Sequence, residues 1–498
     1  MTVCLFIGLW LITLVVPLMQ AEKNVVCYYG SWASYRHGNG QFTVDKIDPF
    51  LCTHLIYSFV GVNANGTIRV LDPWLDLEDN WGLATMKKFN NLKKINTNLK
   101  TLVAVGGWNE GSETFSDVAQ NGIFRARFAK DAAEFCIRHE FDGLDVDWEY
   151  PAQRDGDPTV DRENFVHLLS DLRKELSKHG LLLTAAVAAA ETSASISYNI
   201  PEISKYLDFI NLMTYDLHGP WEATTGHHAP LIAGPNDVTV THRELNVESC
   251  ISFWLQAGAP AEKLNLGVAF YGRTFTLRST NENYIGASAS GPGQGGPYSN
   301  EAGFLGYNEI CEKLLTDKWH LAWDDDQQVP YAYSGNQWVG FDDAESLLLK
   351  CDLANQYGLA GAMIWSIETD DFNGRCGNKY ELLKTLQSGL DDGQTTTSVS
   401  STSETTPSKE TTIVSSSTVS SVTTDSTSTT TVKSTTAGLE FICSETGFFR
   451  DPVDCAKFYY CDGSVRYDFQ CPSGLCFDTT ILACNWAKDV QYRIKSND

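Results

Sequence analysis

Short apolar runs that alternate with helix-length segments constrain the fold of this chain more than any other feature. Eight such runs lie between residues 22 and 390: Val25–Tyr29, His54–Val60, Thr101–Val105, Gly143–Trp148, Leu182–Val187, Phe209–Met213, Leu264–Phe270 and Gly361–Ile364. Amphipathic segments such as Ile123–His139 and Arg162–His179 separate many of them. Alternating strand and helix patterns predict a parallel sheet in an α/β fold. Eight such units in one domain predict a closed (β/α)8 TIM barrel over 22–390.

The stretch between the seventh and eighth runs is too long for one helix. Residues from about 275 to 345 are rich in turn residues and aromatics. We therefore expect a small α+β insertion between strands 7 and 8 of the barrel.

Composition changes sharply on both sides of the barrel region. Residues Val3–Leu18 are almost wholly apolar and are followed by Ala21, which predicts a cleaved secretory signal over 1–21. A membrane anchor is the alternative, but the run is short and contains Pro17. At the other end, 30 of the 42 residues from Thr395 to Thr436 are Ser or Thr. Such a segment cannot bury a core, so 391–438 is predicted to be a linker, either an O-glycosylated stalk or a bare flexible chain.

Cysteine usage predicts disulfides and an extracellular location. The chain has 14 cysteines, of which Cys4 lies in the signal, seven fall between Cys27 and Cys376, and six between Cys443 and Cys484. Disulfides are expected at this density in a secreted chain, with a zinc site as the alternative, and the odd number leaves at least one thiol free or paired between molecules. Residues 439–490 are too few for a good hydrophobic core, so a small disulfide-rich β module is predicted there.

The acidic composition limits the partners of the chain. It carries 37 Lys and Arg against 62 Asp and Glu, a formal net charge of −25. Nucleic acid and anionic membrane surfaces both attract basic proteins, so neither is an expected partner. A secreted, extracellular monomer without a membrane span is the expectation.

Three carboxylates spaced two residues apart give the sharpest functional signal. Asp145, Asp147 and Glu149 fall in and just after the fourth run, and side chains two apart on a strand share one face. Neighbouring buried carboxylates cannot all ionise, and no basic residue is expected to relieve the row, so the row is expected to hold a proton for use. A half-exposed strand with a solvated acidic face is the alternative.

The carboxyl ends of barrel strands form the face on which active sites lie. Polar and aromatic residues at the other strand ends therefore join the acid row as candidates for a sugar site, because rings stack on sugar faces and acids contact hydroxyls. Any one aromatic is more often a core residue, and Phe59 and Tyr271 are readily explained by packing. The further candidates are Tyr28, Trp32, Gly107, Trp108, Asn109, Met213, Tyr215, Asp216, Arg273 and Trp365.

The same residues resemble the signature of family 18 glycoside hydrolases, the chitinases. Asp142–Glu149 carries the signature, and supporting blocks occur in order at Ala104–Asn109, Met213–Asp216, Tyr271–Arg273 and Met363–Trp365. The resemblance covers about Val25 to Leu386. The C-terminal unit resembles the peritrophin-type chitin-binding domain of family 14, ending in Cys484-Asn485-Trp486.

This resemblance implies an endo-acting chitinase that cleaves β-1,4-linked N-acetylglucosamine polymers with retention of configuration and needs neither cofactor nor metal. Glu149 would be the general acid, and the substrate acetamide would be the nucleophile, held by Asp147. Asp145 would share a proton with Asp147, and Tyr215 would bind the acetamide oxygen. Contacts to chitin or chito-oligosaccharides are implied for Tyr28, Trp32, Phe59, Gly107, Trp108, Asn109, Met213, Asp216, Trp221, Tyr271, Arg273, Trp365 and Trp486.

The resemblance also implies how the cysteines pair. Bridges Cys27–Cys52 and Cys311–Cys376 are expected in the barrel domain, and one of Cys136, Cys250 and Cys351 is expected to stay unpaired. In the module Cys443, Cys461, Cys471 and Cys484 are expected to be bonded. The family's last cysteine after Trp486 is missing, so a relocated Cys455–Cys476 bridge is expected. The sequon Asn65-Gly66-Thr67 predicts a surface glycosylation site at Asn65.

Other functions remain open from the sequence. A chitin lectin on the same barrel would lack the acid at Glu149, and a structural matrix protein would use only the module and the stalk. Cleavage of the chitobiose core of N-glycans is a related enzymatic alternative, which the appended chitin-type module disfavours. Endo versus exo preference is not fixed by the residues themselves.

Overall fold

The computed structural model describes residues 22–316, 318–392, 443, 447–451, 454–462, 465–471, 475–479 and 483–486. The predicted signal at 1–21 and linker residues 393–438 lie outside the described residues. The chain divides into two compact units, Met1–Ser403 and Glu404–Asp498. Among the described helices, none has the length and hydropathy that crossing a membrane requires.

The strands and helices are numbered in chain order. The strands are β1 (Asn24–Gly30), β2 (His54–Asn63), β3 (Thr67–Val70), β4 (Lys100–Gly106), β5 (Gly143–Asp147), β6 (Leu182–Ala188), β7 (Phe209–Met213), β8 (Leu264–Ala269), β9 (Tyr271–Leu277), β10 (Ala289–Pro292), β11 (Phe304–Gly306), β12 (His320–Asp324), β13 (Val329–Ser334), β14 (Gln337–Gly340), β15 (Gly361–Trp365), β16 (Gly447–Arg450), β17 (Lys457–Asp462), β18 (Val465–Gln470), β19 (Leu475–Asp478) and β20 (Ala483–Trp486). The α-helices are α1 (Pro73–Asp76), α2 (Thr85–Asn90), α3 (Glu113–Gln120), α4 (Gly122–His139), α5 (Asp161–Leu176), α6 (Glu191–Ser197), α7 (Ile200–Ile203), α8 (Val240–Glu244), α9 (Val247–Gln256), α10 (Tyr307–Leu314), α11 (Ala344–Gln356) and α12 (Glu381–Asp392).

Eight parallel strands close into the predicted barrel. Their order is β1-β15-β8-β7-β6-β5-β4-β2, and β2 pairs with β1 to complete the ring. Each of the eight apolar runs corresponds to one of these strands. Side chains alternate between the barrel interior and an outer layer, where Leu144 and Val146 of β5 join the core formed with Phe165 and Leu168 of α5. The strand pattern therefore fixes which residues reach the interior.

The helices begin and end where local chemistry favours it. The side chain of Asn121 accepts hydrogen bonds from the N–H groups of Ile123 and Phe124 and so caps α4. Arg138 and His139 lie in the last turn of α4, where positive charge interacts favourably with the helix dipole. The predicted segment Ile123–His139 thus forms one helix.

The insertion forms a second sheet between β8 and β15. Its order is β10-β9-β14-β13-β12, with β11 paired to β9. The sheet begins at Tyr271 rather than at about 275, because β9 follows β8 after only Phe270. The expected α+β insertion is therefore present with a slightly earlier start.

The barrel unit contains the bridges Cys27–Cys52 and Cys311–Cys376. All three remaining cysteines, Cys136, Cys250 and Cys351, are buried free thiols, and the sequence predicted at least one such thiol. Burial raises the pKa of each thiol to about 12, so they are protonated and unreactive at neutral pH.

The C-terminal unit is a small β module. A three-stranded antiparallel sheet, β16-β17-β18, accompanies the hairpin β19-β20. The bridges Cys443–Cys461 and Cys455–Cys476 are present, the second being the relocated pair that the sequence predicts. Cys471 is also disulfide-bonded. The side chains of Cys484 and Trp486 lie outside the described part of the chain.

Candidate active site

The acid row consists of Asp145 and Asp147, which lie on β5, and Glu149, which lies two residues after the end of that strand. Asp145 is fully buried, Asp147 nearly so, and Glu149 is partly buried at the carboxyl end of the barrel. Trp148 faces the other way, where its ring stacks on Phe115. The indole N–H of Trp148 donates to Ser112 Oγ (2.9 Å), and the hydroxyl of Ser112 donates to the carbonyl of Tyr150 (2.8 Å). These bonds fix the turn that presents Glu149.

Asp145 is held by donors to both carboxylate oxygens. The Tyr28 hydroxyl donates to Oδ2 at 2.6 Å, and the Thr184 hydroxyl donates to Oδ1 at 2.5 Å. Burial raises the pKa of Asp145 to about 6, against the opposing effect of these two hydrogen bonds. Tyr28 is only 1% exposed and its hydroxyl is bonded to Asp145, so the sugar contact that the resemblance implies for Tyr28 stays a prediction.

Asp147 lies between two other acids and has an unused oxygen. Its Oδ1 is buried and has no hydrogen-bond partner among the described residues. Burial, Glu149 and Asp145 all raise the pKa of Asp147 well above its ordinary value. These effects favour the protonated form of Asp147, because a buried carboxylate flanked by like charges is costly.

Glu149 also favours its protonated form. Burial raises its pKa to about 7, although Tyr150 and the guanidinium of Arg154 act in the opposite direction. Arg154 donates to the backbone carbonyl of Glu149 at 2.9 Å, and its guanidinium lies 3.5 Å from the centre of the Trp108 ring. The expectation that no basic residue relieves the row is therefore wrong, because the loop after Glu149 places the guanidinium of Arg154 close enough to lower the pKa of Glu149.

A second charged group adjoins the row. Arg273 donates to both carboxylate oxygens of Asp216, from Nε at 2.7 Å and from Nη2 at 2.6 Å. Burial disfavours the ionised form of Asp216, but Arg273 and His228 outweigh it and lower the pKa. His228 Nδ1 lies 3.5 Å from Asp216 Oδ1, and its ring packs on Tyr271 at 5.0 Å. Asp216 therefore favours its ionised form, whereas Asp147 and Glu149 favour their protonated forms.

Met213 is the last residue of β7, and Tyr215 lies two positions after it. The Tyr215 hydroxyl donates to the sulfur of Met363 at 3.6 Å, a weak contact that leaves it free for a better acceptor. Met213 is partly buried and packs with Tyr215 and Tyr271 in the interior cluster. Tyr271 itself is buried and stacks on Phe304 at 4.8 Å.

Aromatic rings form the floor and the walls of the cleft. The Trp365 ring lies 5.5 Å from Tyr28, 5.7 Å from Phe59 and 6.1 Å from Trp32. Three tryptophans are open to solvent, and 40%, 58% and 60% of the surface of Trp32, Trp108 and Trp221 is exposed. Trp221 adjoins the charged pair, since Arg273 lies 5.7 Å from its ring. Exposed flat rings beside buried acids are suited to stacking on sugars.

Gly107 allows this floor to pack. Its backbone has φ +86° and ψ 169°, a conformation that only glycine adopts readily, and a Cβ there would lie 2.8 Å from the Phe59 ring. Asn109 follows in a short 3-10 helix and is exposed. Cis peptide bonds follow Ser58, Glu149 and Trp365 at the same end of the barrel.

Sequence reasoning did not select four residues of this site. They are Thr184, His228, Arg154 and Asn211, whose amide donates to Tyr28 at 3.2 Å. Thr184 reaches Asp145 across 39 positions of the chain, Asn211 reaches Tyr28 across 183, and His228 reaches Asp216 from the loop after β7, so no local pattern reveals them. Arg154 is the exception: a lone cation five positions after Glu149 was a usable signal.

Two predicted sites lie elsewhere. Asn65 is exposed at the turn between β2 and β3, so glycosylation there stays a prediction that the surface permits. Among the described residues, the one group of metal-type ligands is Cys311, Asp371 and Cys376, and its two sulfurs are joined in a disulfide.

Buried acids with raised pKa values beside exposed aromatic rings, at the carboxyl end of a parallel barrel, define a site of the glycoside hydrolase class. The model of the Glycosyl hydrolases family 18 matches residues 24–370, and the chain belongs to this family. A second model, described as Chitin binding Peritrophin-A domain, matches residues 443–491.

Curated and solved relatives agree with this assignment. The chain is 43% identical over 366 residues to "Probable chitinase 2" of Drosophila melanogaster, covering 71% of this chain and 74% of that protein. It is 37% identical over 489 residues to "Chitotriosidase-1" of Mus musculus, covering 95% and 98%. The crystal structure of Ostrinia furnacalis Group IV chitinase in complex with allosamidin matches with a TM-score of 0.73 and 48% identity, covering 75% of this chain and all of that one.

Proposed function

We propose that this protein is a secreted chitinase that hydrolyses β-1,4-linked N-acetylglucosamine polymers with retention of configuration, using the substrate acetamide as nucleophile. The observation that carries the proposal is the buried, unpartnered Oδ1 of Asp147 between Asp145 and Glu149. An orphaned buried carboxyl oxygen is costly unless a ligand satisfies it. An acetamide N–H is a donor of the right kind.

The protonation pattern suits one acid and no protein nucleophile. Glu149, with a pKa of about 7, can donate a proton to the glycosidic oxygen at mildly acidic pH. Burial and the flanking acids raise the pKa of Asp147 and favour its protonated form, which is a poor nucleophile. Family 18 enzymes are among the substrate-assisted exceptions to two-carboxylate hydrolysis, so the acetamide carbonyl would attack the anomeric carbon and water would then open the oxazolinium with Glu149 as base.

The remaining residues position the sugar. Tyr215 would donate to the acetamide oxygen in place of its weak contact with Met363. Trp365 would support the distorted ring, Asp216 and Arg273 would bind polar groups of the next sugar, and the exposed rings of Trp32, Trp108 and Trp221 would extend the subsites. Names of the relatives point to the same substrate.

The C-terminal module would bind chitin through an aromatic sheet face. Phe448, Tyr460 and Tyr467 lie opposite one another on β16, β17 and β18. Their ring centroids are 4.8 Å and 6.1 Å apart, and Phe448 and Tyr467 are 41% and 38% exposed. Such a row can stack on successive sugars of a chitin surface. This feature also fits a matrix protein that merely attaches to chitin, so turnover decides between the two.

Mass spectrometry of products from colloidal chitin and from an oligomer series tests the proposal. We expect N-acetylated oligomers to be cleaved and fully deacetylated chitosan to be inert, because only the former carries the nucleophile. Binding without turnover would identify a lectin or matrix protein. Efficient cleavage of deacetylated chitosan would refute substrate assistance.

A further inference from the structure

Three side-chain amides, those of Asn24, Asn265 and Asn211, form a hydrogen-bonded series that crosses the barrel interior beneath the acid row. This series is called the file below. Asn24, Asn265 and Asn211 lie at one level on β1, β8 and β7, because Gly361 of β15 is in register with both Asn24 and Asn265, and Asn265 is in register with Asn211. Nδ2 of Asn24 donates to Asn265 Oδ1 at 3.3 Å, and Nδ2 of Asn265 donates to Asn211 Oδ1 at 3.0 Å. Gly361 has no side chain to separate the amides.

The file ends on the acid row. Nδ2 of Asn211 donates to the hydroxyl oxygen of Tyr28 at 3.2 Å, and the Tyr28 proton goes to Asp145 at 2.6 Å. A phenol has a single proton, and an ionised carboxylate can only accept. Because that proton is given to Asp145, the Tyr28 oxygen must accept from Asn211, which fixes the orientation of each amide behind it. Every donor in the file therefore points toward Asp145.

These amides occupy positions that barrels normally fill with branched apolar residues. Asn211 and Asn265 are both completely buried. Burying an amide costs free energy unless it is hydrogen-bonded, and a bonded file of amides is at best neutral relative to well-packed apolar side chains. Hydrogen bonds that all point in one direction polarise one another, and this strengthens the last hydrogen bond of the series. That last bond is the one Tyr28 makes to Asp145.

From this geometry we infer that Asn211 and Asn265 are positioning residues, which hold the Tyr28 proton on Asp145 and so keep the negative charge of the acid row there. The inference rests on the proposed function, and it takes Asp145 as ionised while the proton that Asp145 shares with Asp147 resides on Asp147. Without the file, the Tyr28 hydroxyl would be free to turn away. Asp145 would then take up a proton at higher pH.

Few groups compete for this proton. The titratable groups that interact electrostatically with Asp145 are Tyr28 on β1, Asp147 on the same strand and Tyr215 after β7. Burial and the acids raise the pKa of both tyrosines well above 10, so they stay neutral. Loss of the file should therefore appear as an upward shift of the acid limb of the pH–rate profile and not of the basic limb, which belongs to Glu149.

The test is the pH–rate profile of full-length Asn211→Leu on tetra-N-acetylchitotetraose. The substitution removes one neutral hydrogen bond, from Asn211 to Tyr28, which affects Asp145 only indirectly. We expect a roughly two- to tenfold loss of kcat with little change in KM. The acid limb should rise by up to about one pH unit. Asn265→Leu, one bond further away, should give a smaller change of the same sign. In a Tyr28→Phe background, Asn211→Leu should have no further effect on the limb, since it acts through the hydroxyl.

Asn90→Leu is the matched control. Asn90 is an equally buried amide on α2 that bonds the carbonyls of Met86 and His139, away from the acid row. It should lower the unfolding temperature without moving the acid limb. If Asn211→Leu does not fold, Asn211→Ser and Asn265→Leu provide the same comparison.

An unmoved acid limb in folded Asn211 and Asn265 variants, or an undiminished shift in the Tyr28→Phe background, would overturn the inference. No hydrolysis of the tetramer by the wild-type protein would instead refute the proposed function. The two failures are thus distinguishable.

Discussion

Replacing Glu149 by glutamine should separate binding from catalysis in a pH-dependent way. Glutamine keeps the size and polarity of the side chain but cannot donate a proton to the glycosidic oxygen. Burial raises the pKa of Glu149 to about 7, so the wild-type protein has its acid in place below that pH and loses it above. The difference between wild type and Glu149→Gln should therefore be largest in acid.

The magnitude follows from that pKa. At pH 5 roughly 99% of Glu149 is protonated, and at pH 9 only about 1%. General acid catalysis contributes about 10²–10⁴-fold, so the variant should lose at least that factor at pH 5. At pH 9 the wild-type protein is itself about a hundredfold less active, and its advantage over the variant should shrink by about the same factor.

The assay is kcat/KM on a soluble N-acetylglucosamine tetramer from pH 5 to 9, with tetramer affinity measured by calorimetry. Glu175→Gln is the matched control, because Glu175 lies on α5 and pairs with Lys178 far from the acid row. It should leave the profile unchanged. Retention of more than about a tenth of wild-type turnover by Glu149→Gln at pH 5 would contradict its role as the acid. A constant ratio across pH would contradict the pKa.

Three other outcomes are expected. Gly107→Ala should lower the free energy of unfolding by about 1–3 kcal/mol in denaturant titrations and raise KM, because the backbone conformation excludes a Cβ and the Phe59 ring must move; unchanged stability would show that the turn adapts. Lys350→Met should lower the free energy of unfolding by about 3–5 kcal/mol, because it leaves the Asp342 carboxylate, 2.6 Å from Lys350 Nζ, buried without its partner. Adding Asp342→Leu to this variant should restore most of that free energy. Truncation after residue 391 should spare tetramer hydrolysis but abolish retention on chitin beads, Tyr467→Ala in the full chain should weaken that retention, and equal retention of all forms would refute the binding face.

Periodicity alone predicts most of the fold. The eight apolar runs correspond to the eight barrel strands, because parallel strands buried on both faces need continuous apolar sequence. The hairpin strand β3 and the start of the insertion at Tyr271 escaped prediction, since both directly continue a neighbouring strand. Cysteine spacing indicates disulfides but does not show which thiols the core isolates, and the number of free thiols in the barrel unit, three, could not be predicted beyond a minimum of one.

The acid row was predictable because it lies within one strand. The groups around it were not, since Thr184 contacts Asp145 from the neighbouring strand β6, Asn211 of β7 contacts Tyr28, and His228 contacts Asp216 from the loop after β7. The depth of a side chain is equally invisible in sequence. Tyr28 is an aromatic residue of the kind that contacts sugars, but the register of β1 buries its ring and directs its hydroxyl to Asp145.

The measurement that most directly tests the central claim is time-resolved proton NMR of the first product released from an N-acetylglucosamine tetramer. Attack by the substrate's own acetamide, followed by water on the opposite face, inverts the anomeric carbon twice. We therefore expect the new reducing end to appear as the β anomer and to equilibrate to the α anomer only later. A product that first appears as the α anomer would contradict substrate-assisted retention, and the absence of any new reducing end would contradict hydrolysis itself.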